Sequence, residues 1–156
     1  MDVGSELSGA VPERLTTLTS AYYRIVLVVG PTGSGKTSLL RSLSDSDGLP
    51  LVNLGLELSR CLLGLTRRQR RLQVADVVAD ILDAPPGAAV LVDDTEIIFE
   101  PSLKLNPLGL LQTVSRRRSL VWSCPGSLDG GQLVYAYPGH PEYHRIPVGE
   151  FQAIEL

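Results

Sequence analysis

Apolar residues in this chain gather into short continuous runs that alternate with segments of helical period, the pattern of strands covered on both faces by helices. Ile25, Val26, Leu27, Val28 and Val29 form a β-branched run that predicts a buried strand over residues 23–29, and residues 38–43 predict the helix that follows. Ser44, Asp45, Ser46, Asp47 and Gly48 favour caps and turns and end it. Residues 49–54 read as a second strand and residues 56–63 as a short apolar helix stopped near Gly64. Over residues 72–82 the residues Leu72, Ala75, Val78, Ala79 and Leu82 share one helical face, with Asp76, Asp80 and Asp83 outside it. Ala84, Pro85, Pro86 and Gly87 break that helix before a third strand over residues 88–92. Asn106 and Pro107 open a helix over residues 106–114, and Leu120, Val121 and Trp122 mark a fourth strand. Residues 132–137 and 143–148, joined by Pro138, Gly139, His140 and Pro141, predict an antiparallel hairpin appended to the sheet.

These elements imply an α/β fold: a three-layer sandwich around a mainly parallel sheet with right-handed crossovers, whose ligand sits at the carboxyl edge of the strands. A flexible segment over residues 1–15, with a short helix from Pro12, precedes a single domain over residues 16–156. The 156 residues, 44% hydrophobic and 20% charged, suit one globular domain. A net charge of −3 gives no global attraction to nucleic acid or an anionic membrane. No run approaches the ~20 apolar residues of a membrane span, and the amino terminus lacks a signal-peptide pattern, so a cytoplasmic protein is expected. Cys61 and Cys124 are isolated and read as reduced, packed thiols. His140 and His144 stand among prolines without a second ligand pair, which argues against zinc.

Between the first strand and its helix stands Gly30-Pro31-Thr32-Gly33-Ser34-Gly35-Lys36-Thr37, which fills every fixed position of the phosphate-binding P-loop. Backbone N–H groups from Gly30 to Ser38 would wrap phosphates at the positive end of the helix dipole. Lys36 would lie against the β- and γ-phosphates, and Thr37 would hold Mg²⁺. The motif implies a bound nucleoside triphosphate and a P-loop NTPase domain.

The third strand ends in Asp93-Asp94-Thr95-Glu96. A carboxylate there falls beside the Mg²⁺ position, and Asp93 takes that role as second metal-site residue with Thr37. Water activation needs another acid. In the additional-strand P-loop ATPases it is commonly a glutamate directly after the metal acid; here Asp94 fills that position and Glu96 competes with it. Ser123, at the end of the fourth strand, is a candidate to touch the water or the γ-phosphate. Tyr22 and Tyr23 precede the first strand and either stack on adenine or pack against the sheet.

Two arginine clusters remain: Arg67, Arg68, Arg70 and Arg71, and Arg116, Arg117 and Arg118. An arginine often neutralises γ-phosphate charge, in cis or from a neighbour. Arg116 and Arg117 precede a parallel strand, opposite the nucleotide edge, so they would act on a neighbouring subunit, a partner or a DNA backbone. Solvated loop charge is the plainer reading of each arginine singly.

With these motifs in place the chain resembles the BrxF family, small P-loop ATPases of type III BREX phage-defence systems. The resemblance rests on Tyr22-Tyr23-Arg24 leading into the loop, on Leu51-Val52-Asn53-Leu54-Gly55-Leu56-Glu57-Leu58-Ser59, on Asp93 to Phe99 with Pro101-Ser102-Leu103, and on Pro138-Gly139-His140-Pro141-Glu142-Tyr143. It implies a bacterial cytoplasmic ATPase working beside a larger ATPase, a DNA methyltransferase and an alkaline-phosphatase-like protein. Adenine as the base follows partly from the resemblance and partly from the lack of a guanine-reading Asn/Thr-Lys-x-Asp segment. Unlike AAA-type ATPases, the chain has no helical lid, because the residues after Ser123 are proline-rich and strand-like. Slow hydrolysis alone, and activation by ATP-driven self-association or by a partner, are expected. A small-molecule kinase and a non-hydrolysing nucleotide-binding scaffold are the alternatives.

Overall fold

The computed structural model describes residues 3–156. The flexible segment expected over residues 1–15 falls in part on residues 1–2, outside the described residues. From Val3 onward the chain is helical: α1 (Val3–Leu18) begins well before Pro12, which lies inside it. It is held because Val11 and Leu18 are buried against β1 (Ile25–Gly30) and α2 (Lys36–Asp47).

The chain continues through β2 (Leu51–Asn53), α3 (Leu54–Leu62), α4 (Arg67–Asp83), β3 (Ala89–Asp93), two 3₁₀ turns (Glu96–Phe99 and Pro101–Leu103), α5 (Pro107–Arg117) and β4 (Ser119–Pro125). Asn106 caps α5 as its sequence predicts, its side chain accepting from the Gly109 N–H at 3.1 Å. Three short strands follow, β5 (Ser127–Asp129), β6 (Gln132–Tyr135) and β7 (His144–Pro147), and then β8 (Gln152–Glu155).

The main sheet has the order β2-β3-β4-β1-β8, with every pairing parallel. Each central strand is buried on both faces. Val26, Val28, Leu91, Val121 and Ile154 pack under α1 and α2, while Ile25, Leu27, Val29, Val90, Val92 and Trp122 pack under α3, α4 and α5. The strands therefore read as continuous apolar runs.

Two expectations about the carboxyl-terminal part change. The hairpin over β6 and β7 is real and antiparallel, but it joins β5 in a separate three-stranded sheet instead of extending the main one. Leu133 and Ile146 are buried in the core on the α5 side, and Tyr135 stacks on Phe99 at 4.3 Å between ring centroids. The fifth strand of the main sheet is β8, which supplies β1 with its second parallel neighbour. No helix follows α5 among the described residues, and no helix among them is long and apolar enough to cross a membrane.

The face of α4 also differs from its sequence reading. Val74, Val78 and Leu82 are buried, whereas Leu72 is 70% exposed and Ala75 is exposed. The helix starts at Arg67, capped by Thr66, so the first arginine cluster is helical.

Candidate functional site

The chain between β1 and α2 turns sharply at Gly33 and Gly35, whose φ angles of 83° and 98° lie in the left-handed region that glycine adopts without strain. At Gly30 the demand is steric, because a Cβ there would overlap the Ser34 hydroxyl. The Ser34 N–H donates to Pro31 O at 3.1 Å, closing the turn, while Ser34 Oγ is buried with no hydrogen-bond partner. The first N–H groups of α2 are left without intrahelical acceptors at the positive end of the helix dipole, an arrangement that receives anions. Lys36, 8% exposed, donates from Nζ to the carbonyls of Gly30 and Pro31, the latter at 2.9 Å. Its charge is thus folded over the loop.

Thr37 faces the strand ends, and its hydroxyl donates to Asp93 Oδ2 at 2.8 Å. Asp93 closes β3 in register with Asn53 of β2, and β4 lies between β3 and β1. The next residue, Asp94, has φ 54°, uncommon outside glycine. Its carbonyl accepts the Gly55 N–H at 2.9 Å, and its carboxyl group stands where a side chain at Gly55 would go. Asn53 Oδ1 accepts the Leu56 N–H at 2.9 Å and caps α3. The Asp94 carboxylate therefore lies beside the start of a helix, where the dipole favours negative charge. Thr95, buried, donates its hydroxyl hydrogen to Ser123 O and ties the acid turn to β4.

Glu96 is only partly exposed. Burial raises its pKa and the nearby Asp94 charge adds to the rise, while its own backbone and Lys36 oppose it. Burial raises the Cys124 thiol far more strongly, so that group stays protonated; Cys61 is exposed instead of packed.

These groups meet in a cavity of about 500 Å³ at the carboxyl edge of the sheet. Thr32, Gly33, Gly35, Lys36, Thr37, Ser38, Asp93, Asp94, Glu96 and Ser123, all read from the sequence, line it together. Arg41 and Asn53 line it as well and were missed. A signal existed for both. Arg41 stands four residues after Thr37, on the same face of α2, and Asn53 ends the strand beside Asp93.

The second arginine cluster lies elsewhere. Arg116 stacks over the Tyr22 ring, with Cζ 4.4 Å from its centroid; Arg117 pairs with the Asp83 carboxylate; Arg118 donates to the carbonyls of Leu82, Pro85 and Gly87. All three sit at the amino edge of the sheet, opposite the cavity. Tyr22 and Tyr23 are there too, and Tyr23 packs edge-on against Phe151 at 5.4 Å, which leaves neither placed to stack on a base in the cavity. In the first cluster Arg70 donates from Nε to Leu62 O and Leu65 O at 3.0 and 3.1 Å. Arg67, Arg68 and Arg71 are exposed.

Comparison of the chain with protein-family models, with curated proteins and with solved structures found no match.

Proposed function

We propose that this chain is an ATP-binding, Mg²⁺-dependent ATPase subunit whose nucleotide governs assembly with copies of itself or with partner proteins. The observation that carries the reading is the 2.8 Å hydrogen bond from Thr37 to Asp93, made between residues 56 apart in sequence at the mouth of the glycine-rich loop. A hydroxyl at the start of a helix and a carboxylate at the end of an apolar strand are the protein groups that hold a phosphate-bound Mg²⁺. The bound cation would neutralise charge on the phosphate oxygens. The free N–H groups at the start of α2 fit a phosphate in the loop. Lys36 would exchange the loop carbonyls for phosphate oxygens.

Of the two acids, we assign water orientation to Glu96. Both line the cavity, but the Asp94 carboxyl packs over Gly55, whereas Glu96 lies within the influence of Lys36. Ser123 lies at the same end of β4. A strand inserted between β1 and β3 supports membership of the additional-strand P-loop ATPases. The resemblance to the BrxF ATPases extends the proposal to a place in a bacterial phage-defence complex.

Light scattering on the purified chain, without nucleotide, with ADP, and with a slowly hydrolysed ATP analogue plus Mg²⁺, tests the reading. Mass is expected to rise only with the analogue in the absence of a partner, and Lys36→Ala is expected to lose both the rise and ATP binding. A wild-type chain that binds no nucleotide would end it. A second reading, phosphoryl transfer to a small molecule, draws on Arg41 and Asn53, which extend the cavity beyond Thr37. Labelled phosphate passing from ATP to an acceptor instead of to water would favour it.

A further inference from the structure

Away from the nucleotide cavity, the start of α4 carries an electrostatic conflict. Arg67, Arg68, Arg70 and Arg71 occupy its first turns, which hold no acidic residue. The positive end of a helix dipole repels cations, and the spacings 67 to 71, 67 to 70 and 68 to 71 add like-charge repulsion. Thr66 and Gln69 form a reciprocal cap that lets the helix begin. Arg70 is compensated, because its guanidinium reaches carbonyls at the end of α3, where the dipole favours a cation. Arg67, Arg68 and Arg71 face solvent and make no hydrogen bond or ion pair among the described residues.

Between α3, the start of α4 and the 3₁₀ turns lies a groove of about 320 Å³ whose walls include Leu62, Leu63, Ile97 and Leu103, with Arg70 and Glu100 among its polar residues. Leu63 is 79% exposed, and Leu56, two turns earlier on the same face of α3, is 46% exposed. Arg70 lines the groove, and the three uncompensated cations share the first turns of α4 with it.

We propose that this surface docks an acidic segment of a partner protein, which seats an apolar side chain beside Leu63 and sets carboxylates against Arg67, Arg68 and Arg71. Charge complementarity names the acid, and the leucine-lined groove, which suits an apolar side chain and not a sugar–phosphate backbone, favours a protein over a nucleic acid. Ile97 and Leu103 lie in the two 3₁₀ turns and Glu100 links them; the first turn begins at Glu96, two residues after Asp94, so an occupant would press on the segment that carries those acids.

Fluorescence anisotropy on the full chain tests the proposal, with a short labelled peptide of alternating glutamate and leucine pairs as the probe. Binding is expected to weaken about tenfold in Arg67→Gln/Arg68→Gln/Arg71→Gln, about tenfold in Leu63→Ser, and as much again when serine replaces the peptide's leucines. Without any peptide, the triple variant is expected to melt roughly 2–4 °C higher, since it removes the conflict at the helix start. No binding by the peptide, indifference to its leucines, or a lowered melting temperature would overturn the proposal. Tighter binding to duplex DNA, unaffected by Leu63→Ser, would assign the face to nucleic acid instead. Self-association of the wild type that Leu63→Ser abolishes would assign it to a second copy.

Discussion

Gly55→Ala adds one methyl group at the point where α3 meets the acid turn after β3, and its consequence follows from the contacts there. The new Cβ overlaps the Asp94 carboxyl group and lies 3.1 Å from the Asp94 carbonyl oxygen, which already accepts the Gly55 N–H at 2.9 Å. Overpacking of this kind costs about 1–3 kcal/mol. Weakening the backbone hydrogen bond adds about 1 kcal/mol. Against these stands a gain of at most about 1 kcal/mol from replacing glycine in a helix. The net loss is about 1–3 kcal/mol, a fall in melting temperature of roughly 3–9 °C for a domain of this size. Gly64→Ala is the control: nothing lies within 4 Å of its Cβ, and its φ is not positive. It is expected to leave the melting temperature unchanged or to raise it slightly.

The cause can be isolated by a double-mutant cycle. Asp94→Gly removes the carboxyl group and suits the φ of 54° at that position. In that background Gly55→Ala is expected to cost at least about 1 kcal/mol less, measured by thermal or chemical denaturation. An equal cost in both backgrounds would refute the reasoning, because the methyl group would then not be meeting Asp94. The same pair bears on the site. Moving the Asp94 carboxyl disturbs one wall of the cavity, so under the proposed function Gly55→Ala is expected to lower turnover more than it lowers ATP affinity.

Glu96 supplies a prediction about pH. Because burial lifts its pKa above the ordinary 4.5, the carboxylate that we propose orients water is lost at a higher pH than for an exposed glutamate, and Glu96→Gln is expected to abolish any turnover with that acid limb. Between the unfolded and folded pKa values the folded chain keeps a proton that the unfolded chain has released. Stability therefore falls as pH rises through that window, and Glu96→Gln flattens the dependence in melting curves. Arg118→Ala removes donors from the carbonyls of Leu82, Pro85 and Gly87 and is expected to cost about 2–4 kcal/mol by urea denaturation. Arg117→Ala, which breaks only the half-exposed pair with Asp83, is expected to cost less than about 1 kcal/mol.

What the sequence declares and what it conceals follow from where each residue's neighbours come from. β1, β3 and β4 were legible because a strand buried on both faces must be apolar throughout, and the places of the glycine-rich loop after β1 and of Asp93 at the end of β3 followed from those strands. β8 was not. As an edge strand it buries only Ile154 among Gln152, Ala153 and Glu155, and the reason it forms is the open backbone edge of β1, more than a hundred residues earlier. The rotation of α4 was hidden for a related reason. Apolar residues at 72, 74, 75, 77, 78, 79, 81 and 82 surround most of the helix, so periodicity alone selects no face. Arg70 settles it: with its guanidinium bonded to the carbonyls of Leu62 and Leu65, the row one turn apart from it, Val74, Val78 and Leu82, is turned into the core and Leu72 outward. An arginine read as solvated charge thus fixes which apolar residues are buried. The same contact sets Arg70 in the wall of a leucine-lined groove and leaves Arg67, Arg68 and Arg71, in the same turns of the helix, exposed to solvent.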